Sequence, residues 1–335
     1  MGSKKLNEKF KQIVIIHSLR GLSIIVISFY HFGYNGLIRF DNELLTNLFS
    51  FGRKGIHIFF LISGVVIPLS LIKYNYKLNQ FWKYLFKRIL RIEPPYLIVL
   101  VLSVFYYYSR FLFGFNSDDS VLPSLKEIVL HIGYLVPFSK DSEWIIPIFW
   151  TLSIEFQYYL FLALLFPMAL SKRKKLNWIF NLIVVFLPLT YSGTDLFLHW
   201  SAFFGLGIFY VLYVNKKYSL IESIILLVLC GFIICTELSF LDFVIGILIL
   251  GIVHFLPDLK IRVGMFLGKI SYSYYLLHTL LGTIILSSLE SWLYSDLLRF
   301  IGINCTIIII VLIASIFWKF IEKPSEEKSK GIRLE

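Results

Sequence analysis

Ten stretches of about 20 mostly apolar residues run through this 335-residue chain, and short loops of alternating charge separate them. Each helical residue adds about 1.5 Å, so about 20 apolar residues cross the hydrocarbon core of a bilayer. Inside lipid the backbone finds no water, and such runs satisfy their own hydrogen bonds as helices. The spans fall at roughly 13–32, 55–72, 95–113, 145–170, 176–192, 195–214, 220–236, 239–256, 270–288 and 297–318. The predicted fold is all-α, a polytopic integral membrane protein with about ten transmembrane helices. The weakest boundary is Ser192-Gly193-Thr194, which alone separates spans five and six.

Composition agrees. Apolar residues make up 58% and charged residues 16%, against about 45–50% and about 25% in a soluble domain. Disorder, nucleic-acid binding and a disulfide-stapled secreted fold are excluded. Cys230, Cys235 and Cys305 all lie in apolar runs without CxxC spacing, which argues against disulfide or metal frameworks. The first apolar run carries Arg20 and lacks a small-residue cleavage site, so it does not read as a cleavable signal peptide. With no internal repeat or second soluble region, residues 1–335 read as one membrane domain with short tails and no appended extracytoplasmic domain.

The net charge of +11 is first a matter of topology, because Lys and Arg collect in cytoplasmic loops. Of the 32 cations, 24 fall in the two tails and the even loops, 7 in the odd loops, and Arg20 lies inside span one. That split places both termini in the cytoplasm. Residues 81–92, basic and aromatic just before Pro94-Pro95, suit a cytoplasmic interfacial helix. Residues 122–136 have helical apolar spacing on the outer side. The loop from about 114 to 144 is the longest outer one and carries Asp118, Asp119, Glu127, Asp141 and Glu143.

A charge at mid-bilayer costs about 2.5–3.5 kcal/mol on insertion scales, so intramembrane polar residues are candidates for function. Arg20 and His31 lie 11 residues apart, about three turns, and share a helix face. Counted from the span ends, Arg20 lies roughly 10 Å and His31 roughly 27 Å from the cytoplasmic edge, and Glu155 roughly 15 Å from the outer one. Glu155 therefore suits Arg20, either as a buried ion pair or as a catalytic partner. His57 and His199 fall near the level of His31, and His278 lies deep in span nine. Each of these three also reads as a hydrogen-bonded packing histidine. No HExxH or acid-rich cluster supports a metal, and none is expected. Lys83, Lys87, Arg88 and Arg91 lie largely on one helical face. They suit a phosphate-rich ligand, or equally the positive-inside bias and anionic lipid. The spacing of His254 and Asp258 misses the HxxxxD pattern of soluble glycerolipid acyltransferases.

Five ordered segments resemble the integral-membrane acyltransferase-3 family over about residues 13–324. They are Leu19-Arg20-Gly21 followed by His31 (Arg-x10-His); GRKGIHIFFLISG at 52–64; KRILRIEPPY at 87–96; FWTLSIEFQYYL at 149–160; and ISYSYYLLH at 270–278 with FIEKP at 320–324. Two departures are His17, where the family often has an acid, and Val65-Val66-Ile67 after Ser63-Gly64.

The resemblance implies a membrane O-acyltransferase. An acyl group, usually acetyl, would pass from cytoplasmic acyl-CoA to a hydroxyl of an extracytoplasmic or lipid-linked glycan. No bound cofactor is expected, and acyl-CoA is the donor substrate. The expected location is the plasma membrane, the inner membrane in a bacterium. In this reading His31 is the general base, with Arg20 and Glu155 in the catalytic site. Arg88, Arg91 and Lys87 hold the CoA phosphates. Ser63, His57, His199 and His278 line the acceptor site or pore. A transporter or flippase for a glycan or anion is the alternative, since transporters also line their paths with Arg, Glu and His. A third reading is the other membrane-bound O-acyltransferase family, with His278 as its histidine; the Arg-x10-His and Ser-x-Glu segments argue against it.

Overall fold

The computed structural model describes residues 13–36, 38–114 and 122–332. Among them no strand forms, and each apolar run of the sequence is a helix. In chain order these are α1 Ile15–Gly33, α2 Glu43–Ser50, α3 Gly55–Lys73, α4 Phe81–Leu112, α5 Leu125–Ile132, α6 Phe149–Ala169, α7 Lys174–Phe186, α8 Phe197–Val214, α9 Leu220–Glu237, α10 Phe240–Phe255, α11 Arg262–Lys269, α12 Ser271–Leu289 and α13 Asp296–Phe317. A π-turn, Trp318–Glu322, then leads directly into α14, Lys323–Gly331. The N-terminal lysines, Arg333, Asp118 and Asp119 lie outside the described residues.

Seven of the described helical segments are long and apolar enough to cross a membrane, against the ten expected. The other three fall short for separate reasons. Helix α7 has 13 residues and continues only as the 3-10 turn Leu187–Thr190. Helix α10 has 16 residues. Helix α12 reaches 19 residues but is diluted by serines, threonines, tyrosines and His278, many of them buried against other helices.

A second expectation is corrected at α4. Residues 81–92 are not a separate interfacial helix, because one 32-residue helix runs through Pro94 and Pro95. The Tyr272 hydroxyl donates to the Ile92 carbonyl at 2.7 Å beside them, which adds a polar contact where proline interrupts the backbone ladder. The outer segment 122–136 is helical only over α5, where the Ser124 amide and hydroxyl donate to Glu127. Those bonds hold the Glu127 carboxyl below its usual range.

Helix α8 is the central post, with 83% of its span buried inside the protein. The outside is the reverse of a soluble surface. Phe105 and Leu112 on α4, Val228 and Phe232 on α9, and Ile308, Leu312 and Ile316 on α13 are all exposed. Their solvent is hydrocarbon, so helix packing draws on close backbone approach rather than on apolar burial. At the α3–α8 crossing, a Cβ on Gly207 would lie 2.6 Å from the Gly64 carbonyl carbon. Helix α1 is gripped from two sides in the same way. A Cβ on Gly21 would lie 2.3 Å from the Gly264 carbonyl of α11, and one on Gly52 would lie 2.3 Å from the Val26 carbonyl of α1.

Gly207→Val should therefore force α3 and α8 apart. Overpacking of this kind costs about 1–3 kcal/mol. The expected result is a lower Tm in detergent, read by tryptophan fluorescence; an unchanged Tm would mean the crossing has slack.

Candidate functional site: three cavities along one helix

Arg20, Ser63, Arg91 and Glu155 meet in one cavity of about 850 Å³, counted out to its mouth. The α6 segment explains how Glu155 gets there. Thr151, Glu155 and Tyr159 lie four residues apart and line the cavity together. Ser153 and Gln157 point elsewhere and hold the frame. The Ser153 hydroxyl donates to the Tyr134 carbonyl at 3.2 Å, and Gln157 accepts from the Phe197 amide at the start of α8 at 2.9 Å.

The segment at 270–278 is divided in the same manner. Ser271, Tyr272 and Tyr275 face the cavity. The Tyr275 hydroxyl is hydrogen-bonded to the Thr151 hydroxyl at 2.7 Å, and that of Tyr274 to the Ser28 hydroxyl of α1 at 2.7 Å. The Ser273 amide donates to Glu322 of the π-turn at 3.0 Å. The FIEKP segment is thus tied directly to ISYSYYLLH.

The expected Arg20–Glu155 ion pair does not close. Both side chains line the cavity, yet their charged atoms are more than 4.0 Å apart among the ion pairs of the described residues. Glu155 instead accepts from Tyr159. The Arg20 guanidinium lies 5.7 Å from the Phe59 ring centroid, and its Nε is buried without a hydrogen-bond partner. An unpartnered buried donor such as Arg20 Nε is costly in a purely structural cavity and useful in one that receives a polar ligand.

The basic cluster separates. Arg91 faces the cavity. Arg88 is buried between the rings of Tyr84 and Tyr159, 5.2 and 5.3 Å from their centroids, and not at a wet interface as its surroundings in sequence suggested. Lys87 donates to the Ile332 carbonyl at 2.8 Å and docks the α14 region onto α4, away from the cavity. A second hollow opens at this end of the bundle, lined by His17, Lys269, Glu322 and Glu326 together with Arg20 and Arg91. Arg20 and Arg91 therefore border both spaces.

His31 lies at the other end of α1, in a pocket with Asn35, Pro147, Thr279 and Thr283. Sequence counting put His278 well below it, but the two rings meet with centroids 5.2 Å apart. The reason is α11, which packs against α1 through Gly264 and Gly268, so α12 begins already inside the bundle. Of the remaining candidates, neither His57 nor His199 lines these cavities. His199 packs edge-on against Trp200, with both ring nitrogens buried and unpartnered. The Nδ1 of His57 is 2.7 Å from Asp242, which also holds Lys54 Nζ at 2.6 Å. Among the described residues no three His, Cys, Asp or Glu side chains gather as a metal site.

Asp242, Tyr275 and Glu322 carried no assigned role in the sequence reading. Asp242 follows Ser239 at the spacing of an ordinary helix cap, which hides its second role, while Glu322 stood in a quoted segment without a partner.

Among the described residues, an all-helical bundle with an apolar exterior and buried Arg, Glu and His around internal cavities marks a membrane protein whose interior polar groups are candidates for function. The family Acyl_transf_3, described as an acyltransferase domain, matches residues 13–319, and the chain belongs to it: it is a membrane acyltransferase. It is also similar to a protein of Acidianus two-tailed virus named "Putative acetyltransferase ORF330", with 26% identity over 299 residues, covering 79% of this chain and 82% of that one. No solved structure matches the chain significantly.

Proposed function

We propose that this acyltransferase takes an acyl group, acetyl in the first instance, from cytoplasmic acyl-CoA and delivers it to a hydroxyl of an extracytoplasmic or lipid-linked glycan. One observation carries the reading: α1 contributes Arg20 to a cavity at one end of the bundle and His31 to a pocket at the other. The excess of basic residues at the Arg20 end supports a cytoplasmic position for that end and for both termini. Acyl-CoA exists there, and Arg91, Arg20 and Lys269 supply positive charge for its phosphates. At the other end His31 takes the proton from the attacking hydroxyl. Glu155 lines the same cavity as Arg20, on the way that the acyl arm takes toward His31. The plasma membrane is the expected site, and Ser63 belongs to the donor side of the path.

The test is transfer of radiolabelled acetyl from acetyl-CoA to total glycan in membranes holding the protein. Labelled glycan that depends on the protein supports the reading. Uptake or export of glycan without any acetylation would replace it with the transporter alternative.

Donor contacts give a sharper prediction. Arg91→Ala should raise KM for acetyl-CoA about tenfold or more, since a charged hydrogen bond contributes about 1.5–3 kcal/mol. Arg88→Ala should instead lower Tm, because it empties a slot between two tyrosines. A pure KM effect of Arg88→Ala with unchanged Tm would return Arg88 to the binding set.

A further inference from the structure

The contact between His31 and His278 asks for a chemical account. His278 is 1% exposed, its Nδ1 lies 2.7 Å from the Tyr275 carbonyl, and its Nε2 is buried with no partner. A carbonyl can only accept, so Nδ1 carries the proton and Nε2 is a bare acceptor. The ring cannot easily turn away. Tyr274 stacks on it at 13° between planes and 5.9 Å between centroids, and Phe32 lies 6.3 Å away on the α1 side. A Cβ on Gly282 would lie 2.2 Å from the Phe32 ring, so that glycine makes room for the arrangement. A buried acceptor fixed in one tautomer, with the ring of His31 edge-on against it, is costly unless a donor reaches it.

We propose that His278 is a positioning residue for His31, its bare Nε2 accepting one His31 N–H through a small ring rotation or a single water. The assignment rests on His31 as the general base. It fixes the His31 tautomer: one nitrogen is committed to His278, and the other is left bare toward the outer pocket. In the reaction the acceptor hydroxyl gives its proton to that bare nitrogen. Its oxygen bonds to the acyl carbon, and the C–S bond breaks. The imidazolium formed keeps its second N–H on His278, which shares the charge, and then returns the transferred proton to the CoA thiolate. His278 gains and loses no proton.

The experiment compares His278→Phe, which removes the acceptor, with His278→Gln, whose amide oxygen can replace Nε2, and with His31→Ala. Acetyl transfer from radiolabelled acetyl-CoA to total membrane glycan is measured against pH at equal protein levels. His278→Phe should lose about 10-fold or more in kcat with little change in the KM for acetyl-CoA. Its acidic limb should move to lower pH, because the charged His31 loses a partner. His278→Gln should recover at least several-fold of that loss and return the limb toward the parent position. A packing role alone would move neither the limb nor the Gln-to-Phe ratio. If His31→Ala is inactive while His278→Phe keeps the parent rate and pH profile, the positioning role is wrong and the base assignment stands. If His31→Ala is active and His278→Phe is dead, both are overturned. Should His278→Phe fail to accumulate, His278→Leu takes its place as the variant without an acceptor: a limb shifted to lower pH that His278→Gln restores supports the role, and a parent-like rate and limb in His278→Leu refutes it.

Discussion

His31→Ala should insert and fold as the parent does and lose at least about 10²-fold in acyl transfer, the scale expected for removing a general base. Insertion is no obstacle, because an apolar replacement makes a span easier to insert. Packing is little disturbed, since His31 is only partly buried and borders an open pocket. The loss should fall on kcat rather than on the KM for acetyl-CoA, because the proposed binding mode puts the donor's phosphates at the opposite end of α1. His57→Ala and His199→Ala should cost less, as neither side chain lines the cavities of Arg20 or His31. Near-parent transfer by His31→Ala would remove the base from the mechanism.

The second large effect should come from a residue with no place in the chemistry. Asp242→Ala removes the carboxylate that holds Lys54 Nζ at 2.6 Å, His57 Nδ1 at 2.7 Å and the Ser239 hydroxyl at 2.6 Å. Lys54 retains only 13% of its side-chain exposure. Breaking a buried pair by deleting one partner costs about 3–5 kcal/mol, a large share of an ordinary protein's stability. Most of that cost is the abandoned ammonium. Lys54→Met combined with Asp242→Ala should therefore recover much of the Tm lost by Asp242→Ala alone. No recovery in the double variant would place the cost elsewhere, for instance at the start of α10.

Much of the architecture was legible because it follows from short-range rules. Apolar run length marks a helix within lipid, and all ten runs became helices. Where counting failed, the cause was a tertiary packing choice. Only α11, tucked in through Gly264 and Gly268, raises His278 to the level of His31, and no spacing along the chain announces it. The prolines of α4 looked like a boundary, because a local rule cannot see that Tyr272 arrives beside them. Bringing Arg20 and Glu155 together was possible from charge and depth alone; placing Arg91 beside them was not. Separating Arg88 and Lys87 from Arg91 was not, since adjacent basic residues on a helix diverge according to what meets each side.

The glycine contacts on both flanks of α1 bear on what must travel during turnover. Eleven residues of helix set Arg20 and His31 about 16 Å apart along the axis. Gly21 and Gly52 bring neighbouring backbones into close approach on both flanks of that rod. The protein thus resembles a fixed gauge with a charged mark at one end and a basic mark at the other. Under the proposed reaction the interval would be closed by the guest, whose reactive end would travel from the Arg20 cavity to the His31 pocket. On that reading a donor with a truncated arm should seat its phosphates as well as the full one and still deliver nothing.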